Sequence, residues 1–409
     1  MKIGFFGNAN NYPFMLARAL RRLGHEIVFT VWNRELLDRP EGRYRDIPTR
    51  YPDWIRDFAP FGLVSVVTPH PKRARLVRLL RSCDAVILNQ HGLALAPAIG
   101  RPTIALITGT DLVNFAGWHS LEEIRRASYR NLPWLRRIAK TWVYRRLIPL
   151  QRAGIQSAAT VTCFPKGLSP ESDRMLDELG IEENRRQFIL MTDLEQLEWT
   201  PPPRNERLRI FCATRLNWVR PMRPGCIEMD YKATDVMIRG LGLFLRKGGA
   251  PLDMRIVKKG FHVAETIALA ESEGIARHVT WCEPMSQYDV WEELRRADVV
   301  VEQLGKAFVA MNGLDAMAIG RPVIASGRPE IMHRAIGEPF PVCQAETPEE
   351  FCAQLERLQS SPELRESMGR AGRAFVERQF SSDRAARICV ERLTQRAGQE
   401  SLVTAGVSV

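Results

Sequence analysis

Short aliphatic runs alternate along the chain with longer stretches whose apolar positions recur at helical spacing. This alternation predicts parallel β-sheets flanked by helices. A first series of predicted strands covers residues 2–6, 26–30, 85–89, 103–107 and 159–163. A second series covers residues 208–213, 253–257, 278–282, 299–301 and 322–325. The predicted fold class is therefore α/β, with two Rossmann-like, doubly wound domains.

A proline run separates the two series. Residues 198–205 read Glu-Trp-Thr-Pro-Pro-Pro-Arg-Asn, and consecutive prolines cannot continue a helix or a central strand. We therefore expect the interdomain linker at 198–206, with an N-terminal domain over 1–200 and a C-terminal domain over 206–380. Predicted helices occupy residues 234–247, 262–274, 286–297, 313–319, 347–360, 362–379 and 383–396.

The length and the composition agree with two ordinary globular domains. The chain has 409 residues, of which 45% are hydrophobic and 26% are charged, which is enough for two cores. The first residues enter a strand pattern without a signal sequence, and no apolar run reaches the roughly 20 residues of a membrane span. We therefore expect a cytoplasmic protein. The eight cysteines are scattered along the chain, form no Cys-x-x-Cys pair and have no neighbouring histidine at the spacing of metal ligands. We therefore expect no metal site.

The net charge of +11 favours anionic partners such as nucleotide diphosphates, an anionic lipid surface or nucleic acid. The cations concentrate in residues 124–152, which contain nine Lys and Arg and no acidic residue. Trp134, Ile138 and Trp142 share one face of the helix predicted there. Such a helix can lie in the interface of an anionic membrane, on the inner face of the plasma membrane. Alternatively, the helix packs its tryptophans against the sheet of its own domain.

Polar residues follow three strands of the first series. Gly7, Asn8 and Asn10 lie in the turn after the first strand, where they form either a phosphate or acceptor loop or a plain tight turn. His91 follows the strand at 85–89, where it either contacts a sugar hydroxyl and assists proton transfer or is a structural histidine. Asp111 follows the strand at 103–107, where it contributes to the same crevice or caps a helix.

Two cations lie near strand ends in the second series. Arg215 follows the strand at 208–213, and Lys232 precedes the helix at 234–247. Arg offers a bidentate fork and Lys a point charge, and this pair suits a diphosphate. The other interpretation is that both are surface charges at helix entries.

Residues 300–325 carry the most specific pattern, in which Asp315 precedes Ala-Met-Ala and Gly-Arg-Pro-Val follows. This segment resembles the donor-site signature of family 4 GT-B glycosyltransferases, the glycosyl transferases group 1. Residues 211–216 and 232–236 are similar to the Arg and Lys diphosphate clamp of that family, and residues 347–373 resemble its C-terminal helices. The resemblance covers most of the chain and is specific from about 208 to 380.

The resemblance implies a GT-B fold, in which two Rossmann-like domains face each other across a cleft and residues 381–409 form a helix and tail that cross back to the N-terminal, acceptor-side domain. It implies that Asp315 binds the ribose hydroxyls of a nucleotide-sugar, while Asn312, Gly313 and the helix N-terminus meet its diphosphate. The family usually has a first glutamate eight residues before this carboxylate, where this chain has Ala307. Glu302 either substitutes for it or packs at a strand end.

The implied activity is a retaining, metal-independent hexosyl transfer in cell-surface polysaccharide or glycolipid assembly, with a glycan or lipid-linked acceptor and no cofactor besides the nucleotide-sugar. The expected catalytic residues are His91, Arg215, Lys232 and Glu302. Ala307 also motivates an alternative, a non-catalytic sugar-nucleotide or glycan-binding relative. Nucleic acid is not an expected partner, because the chain contains no recognisable nucleic-acid-binding module.

Overall fold

The computed structural model describes residues 1–48, 50–126, 133–222, 226–305 and 308–404, and within them the chain forms two units. Unit 1 consists of Met1–Phe164, Pro170–Ile189 and the chain from Ser382 onward. Unit 2 consists of Pro165–Ser169 and Leu190–Ser381.

In the described residues, unit 1 contains a seven-stranded parallel sheet with the order β3-β2-β1-β4-β5-β6-β7. Its strands are β1 (Lys2–Phe6), β2 (Glu26–Val31), β3 (Ile55–Asp57), β4 (Ala85–Leu88), β5 (Thr103–Ala105), β6 (Thr160–Cys163) and β7 (Arg186–Phe188). Its helices before residue 190 are α1 (Tyr12–Arg22), α2 (Leu63–Val67), α3 (Pro71–Arg81), α4 (Ala96–Ile99), α5 (Thr110–Val113), α6 (His119–Arg126), α7 (Trp134–Ser157) and α8 (Pro170–Glu178).

Unit 2 repeats this architecture with a six-stranded parallel sheet, again counted over the described residues, with the order β10-β9-β8-β11-β12-β13. Its strands are β8 (Leu208–Cys212), β9 (Leu252–Val257), β10 (Val279–Cys282), β11 (Val299–Val301), β12 (Val323–Ala325) and β13 (Cys343–Gln344). Its helices are α9 (Thr234–Arg246), α10 (Val263–Ser272), α11 (Gln287–Arg296), α12 (Met311–Ile319), α13 (Pro329–Ile336), α14 (Pro348–Ser360) and α15 (Pro362–Gln379).

The last helix, α16 (Ser382–Thr404), belongs to unit 1 and packs on α1. The Arg22 guanidinium on α1 donates hydrogen bonds to Asp383 at 2.7 Å and to the Ser382 hydroxyl at 3.0 Å. These two residues begin α16, so the ion pair fixes the helix where it joins the unit.

The division between the units falls at Ile189 and Leu190, ahead of the proline run where the sequence predicts the linker. Residues 190–206 belong to unit 2 because their backbone is tied to it. The amide of Thr192 donates to the Phe380 carbonyl at 2.8 Å, and that of Thr200 donates to the Ile319 carbonyl at 2.9 Å. The prolines therefore continue along unit 2 after the chain has already joined it.

The strands that position the site are buried and apolar. β1, β4 and β11 are almost entirely buried, and β8 has one partly exposed residue. Helices α9 and α14 pack together beside the core of unit 2, and Phe351 lies fully buried in that core. Burial of these runs on both sides is typical of central strands in parallel sheets, which explains why the sequence pattern predicts them.

Candidate functional site

The order of the strands defines one site in each sheet. In unit 2 the chain runs from β8 through β9 to β10 on one side and from β11 through β12 to β13 on the other. Ligands of such sheets bind beyond the carboxyl ends of the strands where the order reverses, here β8 and β11. In unit 1 the corresponding strands are β1 and β4.

Arg215 and Lys232 meet at the reversal in unit 2. Arg215 follows β8 by three residues and its side chain is exposed. The Lys232 ammonium donates to the Met229 carbonyl and to the Gln303 side-chain carbonyl, and Gln303 follows β11. Burial lowers the pKa of Lys232 and nearby Arg215 lowers it further, while the carboxylate of Glu302 opposes this shift. The structure therefore brings together the two cations that the sequence predicts.

Glu302 begins the loop between β11 and α12 and is almost fully buried. One carboxylate oxygen accepts a hydrogen bond from the Ala310 amide at 2.9 Å, and the other accepts one from the Thr214 hydroxyl at 3.3 Å. Glu302 thus closes the loop and satisfies the amide at the start of α12. Of the two interpretations from sequence, the geometry supports the structural one.

Helix α12 begins at Met311, with Ala310 as its N-terminal cap residue. Among the described residues, the amides of Met311, Asn312 and Gly313 have no hydrogen-bond acceptor. The Asn312 side chain donates to the Ala213 carbonyl at the end of β8, at 3.3 Å, and Gly313 is buried. A helix N-terminus with free amides next to β8 is suited to a phosphate group, because the helix dipole and the amides both favour an anion.

Asp315 does not agree with the ribose role predicted from the sequence. It is the fifth residue of α12, beyond the first turn, and it is completely buried. One oxygen accepts from the Thr192 hydroxyl, and the other accepts from the Trp291 indole at 2.8 Å and the Gln287 amide at 3.2 Å. Protein donors therefore hold both oxygens, and a ribose would have to displace them.

Sequence reasoning missed Lys259, which follows β9 by two residues and is half-buried. Arg215 lies close enough to lower its pKa, although burial is the main cause of that shift. The signal was present, because Lys258-Lys259-Gly260 follows a predicted strand whose neighbour carries Arg215. The rule that ligands bind at the carboxyl ends of strands, which predicts Arg215, applies equally to Lys259.

In unit 1, the turn after β1 is an internally bonded loop. Gly7 has a φ of +91°, and a Cβ there would lie 2.3 Å from the Asn89 carbonyl oxygen, so only glycine fits. Asn8 is fully buried, and its side chain donates to Asn11 at 2.7 Å and accepts from the Phe14 amide at 3.1 Å. Asn10 is exposed. The geometry supports the tight-turn interpretation for Gly7 and Asn8 and leaves only Asn10 accessible.

His91 is a core histidine. Its Nε2 donates to the Phe61 carbonyl at 3.1 Å, and the rings of Phe6 and Trp32 lie edge-on at 5.4 and 4.6 Å. Burial lowers the pKa of His91 to about 4, so the ring is neutral near pH 7. This position contradicts the predicted role of His91 as an acceptor-side and catalytic residue, because the ring is enclosed by the protein.

Asp111 is also fully buried and holds the ends of β4 and β5 together. Its carboxylate accepts from the amides of Thr108 and Gly109, at 2.9 and 2.8 Å, and from the Asn89 side chain at 3.0 Å. Burial raises the pKa of Asp111, and these hydrogen bonds oppose the shift. The carboxylate is therefore occupied by the loops, which contradicts its predicted role as an acceptor contact.

The described residues contain neither a cluster of metal-ligating side chains nor a membrane-spanning helix. In the part of the chain that the structure describes, no group of three or more His, Cys, Asp or Glu side chains is arranged to hold a metal ion. No described helix is both long enough and apolar enough to cross a membrane.

Comparison with known proteins gives a consistent result. Residues 230–375, which contain Lys232, Glu302 and all of α12, match the family model described as glycosyl transferases group 1. No curated protein sequence matches the chain.

Three similar solved structures match nearly the whole chain. HepE of Anabaena, in complex with UDP and glucose, has a TM-score of 0.61 at 14% identity, covering 97% of this chain and 100% of its own. Sucrose-phosphate synthase of Thermosynechococcus elongatus has a TM-score of 0.57 at 13% identity, covering 99% of each chain. WaaG, a glycosyltransferase involved in lipopolysaccharide biosynthesis, has a TM-score of 0.53 at 14% identity, covering 95% and 99%. The chain thus has the GT-B fold, and over residues 230–375 its second unit matches the glycosyl transferases group 1.

Proposed function

We propose that this protein is a glycosyltransferase that moves a sugar from a nucleotide-sugar to an acceptor, and that unit 2 binds the donor. The observation that carries the proposal is the position of Arg215 and Lys232 beside the N-terminus of α12, at the reversal of a parallel sheet. HepE, which has a similar fold, was solved with UDP and glucose, and this supports a nucleotide-sugar donor.

The chemistry follows from the charges. Transfer leaves a nucleoside diphosphate as the leaving group, and its negative charge grows as the bond to the sugar breaks. Arg215, Lys232 and the free amides of α12 present positive charge and hydrogen-bond donors where that charge develops. Because these groups can neutralise the leaving group, we propose transfer without a metal, and activity should persist in excess EDTA. A retaining outcome is proposed from the family resemblance, and the anomeric configuration of the product tests it.

Donor binding tests the proposal directly. Isothermal titration calorimetry with UDP, GDP and ADP should show micromolar or tighter binding of at least one, and Arg215→Ala should weaken it by about 1.5–3 kcal/mol, the value of a charged hydrogen bond. Arg277→Ala is the matched control, since exposed Arg277 precedes β10 at the opposite, amino edge of the sheet. If no nucleoside diphosphate binds, the proposal is wrong.

A second candidate is a non-catalytic relative that binds sugar-nucleotides. It is favoured by Glu302, whose carboxylate is used inside the protein, and by Ala307, which stands where the family has a carboxylate and lies outside the described residues. Incubation with UDP-glucose, GDP-mannose and ADP-glucose separates the candidates. Slow hydrolysis of one donor supports the transferase, whereas tight binding without hydrolysis or transfer to any acceptor supports the non-catalytic relative.

We also propose that the acceptor is a glycan or a lipid-linked glycan at a membrane surface, in polysaccharide or glycolipid assembly. The support comes from α7, in which Trp134, Ile138 and Trp142 are 68%, 58% and 41% exposed. The alternative interpretation requires these side chains to pack against the sheet, and their exposure disagrees with it. Helix α7 contains no acidic residue, and its first thirteen residues contain five cations: Arg136, Arg137, Lys140, Arg145 and Arg146. Of the predicted basic segment 124–152, residues 127–132 lie outside the described part of the chain.

Exposed apolar and basic side chains on one helix suit a membrane of anionic lipid. The protein should co-sediment with phosphatidylglycerol vesicles at low salt and not with phosphatidylcholine vesicles. Trp134→Ser combined with Trp142→Ser should abolish this binding, while Leu36→Ser combined with Leu37→Ser, two exposed leucines elsewhere in unit 1, should leave it intact. Equal sedimentation of both double variants would contradict the role of α7.

A further inference from the structure

The loops that follow β8 and β9 are bonded to each other along their length. The Leu216 amide donates to the Lys259 carbonyl at 2.7 Å, and the His262 amide donates to the Leu216 carbonyl at 2.9 Å. The Phe261 amide donates to the Asn217 side-chain oxygen at 2.8 Å. These bonds hold Lys259 next to the loop that carries Arg215.

Gly260 makes this approach possible. Its φ is +124°, and a Cβ there would lie 2.5 Å from the Leu216 amide nitrogen, so any other residue would push the two loops apart. Position 259 is thus fixed beside the loop that follows β8 by the backbone of its neighbours.

The ammonium of Lys259 has no hydrogen-bond or ion-pair partner among the described residues, although the side chain is half-buried. Its neighbour Lys258 differs, because it forms an ion pair with Glu283. The Arg215 guanidinium is likewise unpaired within the described part of the chain, so two like charges are held near each other. The side-chain nitrogen of Asn217, which is fully buried, also has no partner among the described residues. Such an arrangement costs free energy until an anion is present.

The charges of the cluster match one class of ligand. Arg215, Lys232 and Lys259 are the cations, and Glu302 is the carboxylate that acts on both lysines. Asp230 is a second carboxylate, which acts on Lys232, so three positive groups face two negative groups and one positive charge is left unbalanced. The diphosphate of a nucleotide-sugar carries two negative charges, one on each phosphate. Without Lys259 the charges of the cluster would cancel, and no net positive charge would be left to attract the diphosphate.

We propose that Lys259 is a third cation of the donor site, which binds the diphosphate beside Arg215 and makes the site prefer nucleoside diphosphates to monophosphates. The inference rests on the proposed donor site in unit 2 and adds a residue and a specificity to it.

The test compares Lys259→Gln with Lys258→Gln, a matched loss of charge one residue earlier. Isothermal titration calorimetry should show that Lys259→Gln weakens binding of UDP, GDP or ADP, whichever the parent binds, by about tenfold or more. Binding of the corresponding monophosphate should weaken less, and Lys258→Gln should bind as the parent does. Lys259→Arg keeps the charge and should retain most of the affinity. Thermal unfolding of the ligand-free variants checks that they are folded.

The outcomes distinguish failure of the proposed donor site from failure of the role of Lys259. If the parent binds none of the three diphosphates, the donor site itself is wrong. If the parent binds one of them and Lys259→Gln binds it equally well, or loses affinity for monophosphate and diphosphate alike, the assignment of Lys259 is wrong while the donor site stands.

Discussion

Replacement of Asp315 by asparagine tests whether this carboxylate belongs to the interior of unit 2 or to the ligand. In the structure it accepts hydrogen bonds from Thr192, Gln287 and Trp291, and it is completely buried. Asparagine keeps one acceptor oxygen but places an amide group, which is a donor, where the carboxylate accepted. The remaining oxygen can still accept from Trp291 and Gln287, and the Thr192 hydroxyl has to turn from donor to acceptor where it faces the new amide. All three bonds then join neutral groups.

The expected cost follows from these contacts. A hydrogen bond to a charged group contributes about 1.5–3 kcal/mol and one between neutral groups about 0.5–1.5 kcal/mol, so each of the three bonds weakens by about 1 kcal/mol. We therefore expect Asp315→Asn to lower the free energy of unfolding of unit 2 by about 2–4 kcal/mol. The affinity for the best nucleoside diphosphate should change by less than about twofold, because both oxygens of this carboxylate already accept hydrogen bonds from protein donors.

Urea unfolding monitored by tryptophan fluorescence measures the first quantity, since Trp291 lies against Asp315. Calorimetry with the best nucleoside diphosphate, below the unfolding transition, measures the second. Asp289→Asn is the control, because Asp289 has an exposed side chain on α11, the helix that carries Gln287 and Trp291. Its loss should cost less than about 1 kcal/mol. An unchanged unfolding midpoint together with a tenfold loss of affinity would refute this reasoning and restore the ribose role predicted from the sequence.

Three further predictions concern single positions. Burial lowers the pKa of His91 to about 4 in the folded state, so the neutral ring contributes stability that is fully present above pH 6.5 and is lost as the pH falls towards 4. The difference in unfolding free energy between the parent and His91→Gln should therefore change by about 3 kcal/mol between pH 6.5 and pH 4. Gly7→Ala should destabilise unit 1 by at least about 1–2 kcal/mol in urea unfolding, because φ is positive and the Asn89 carbonyl fills the space of a Cβ, and an unchanged midpoint would contradict this geometry. Lys259→Met should raise the thermal unfolding temperature of the ligand-free protein, since it removes a half-buried positive charge close to that of Arg215. It should also reduce the stabilisation that a nucleoside diphosphate provides. A lower unfolding temperature without ligand would show that the two charges do not destabilise each other.

The central strands of both sheets could be predicted from the sequence because they are buried on both faces. The pattern places the strands at 2–6 and 299–301 at the observed residues and the other predicted strands within one or two residues of their observed ends. The pattern also predicts the edge strand β10, but it does not predict the three other edge strands of the described sheets, β3, β7 and β13. They have two or three residues each, and most of these side chains are partly or fully exposed, so no apolar run marks them.

The sequence predicts those site residues whose placement depends only on their position after a strand. Arg215 and Lys232 follow from the rule that ligands bind at the carboxyl ends of strands, and the structure places both there. His91 and Asp111 also follow strand ends, but their side chains turn into the protein and are satisfied there. The sequence shows which residues lie near a strand end and does not show which of them face solvent.

Glu302 explains how the loop after β11 can keep its place without the first glutamate of the family pattern. Its carboxylate lies on the inner side of the loop, where it bonds the amide of Ala310 and the hydroxyl of Thr214. A carboxylate used in this way supports the start of α12 and offsets part of the positive charge of the two lysines. Among the described residues of unit 2, the Arg215, Lys232 and Lys259 side chains and the first amides of α12 all favour an anion. The proposed recognition of a diphosphate can therefore persist in this chain although Ala307 stands where the family usually has its first glutamate.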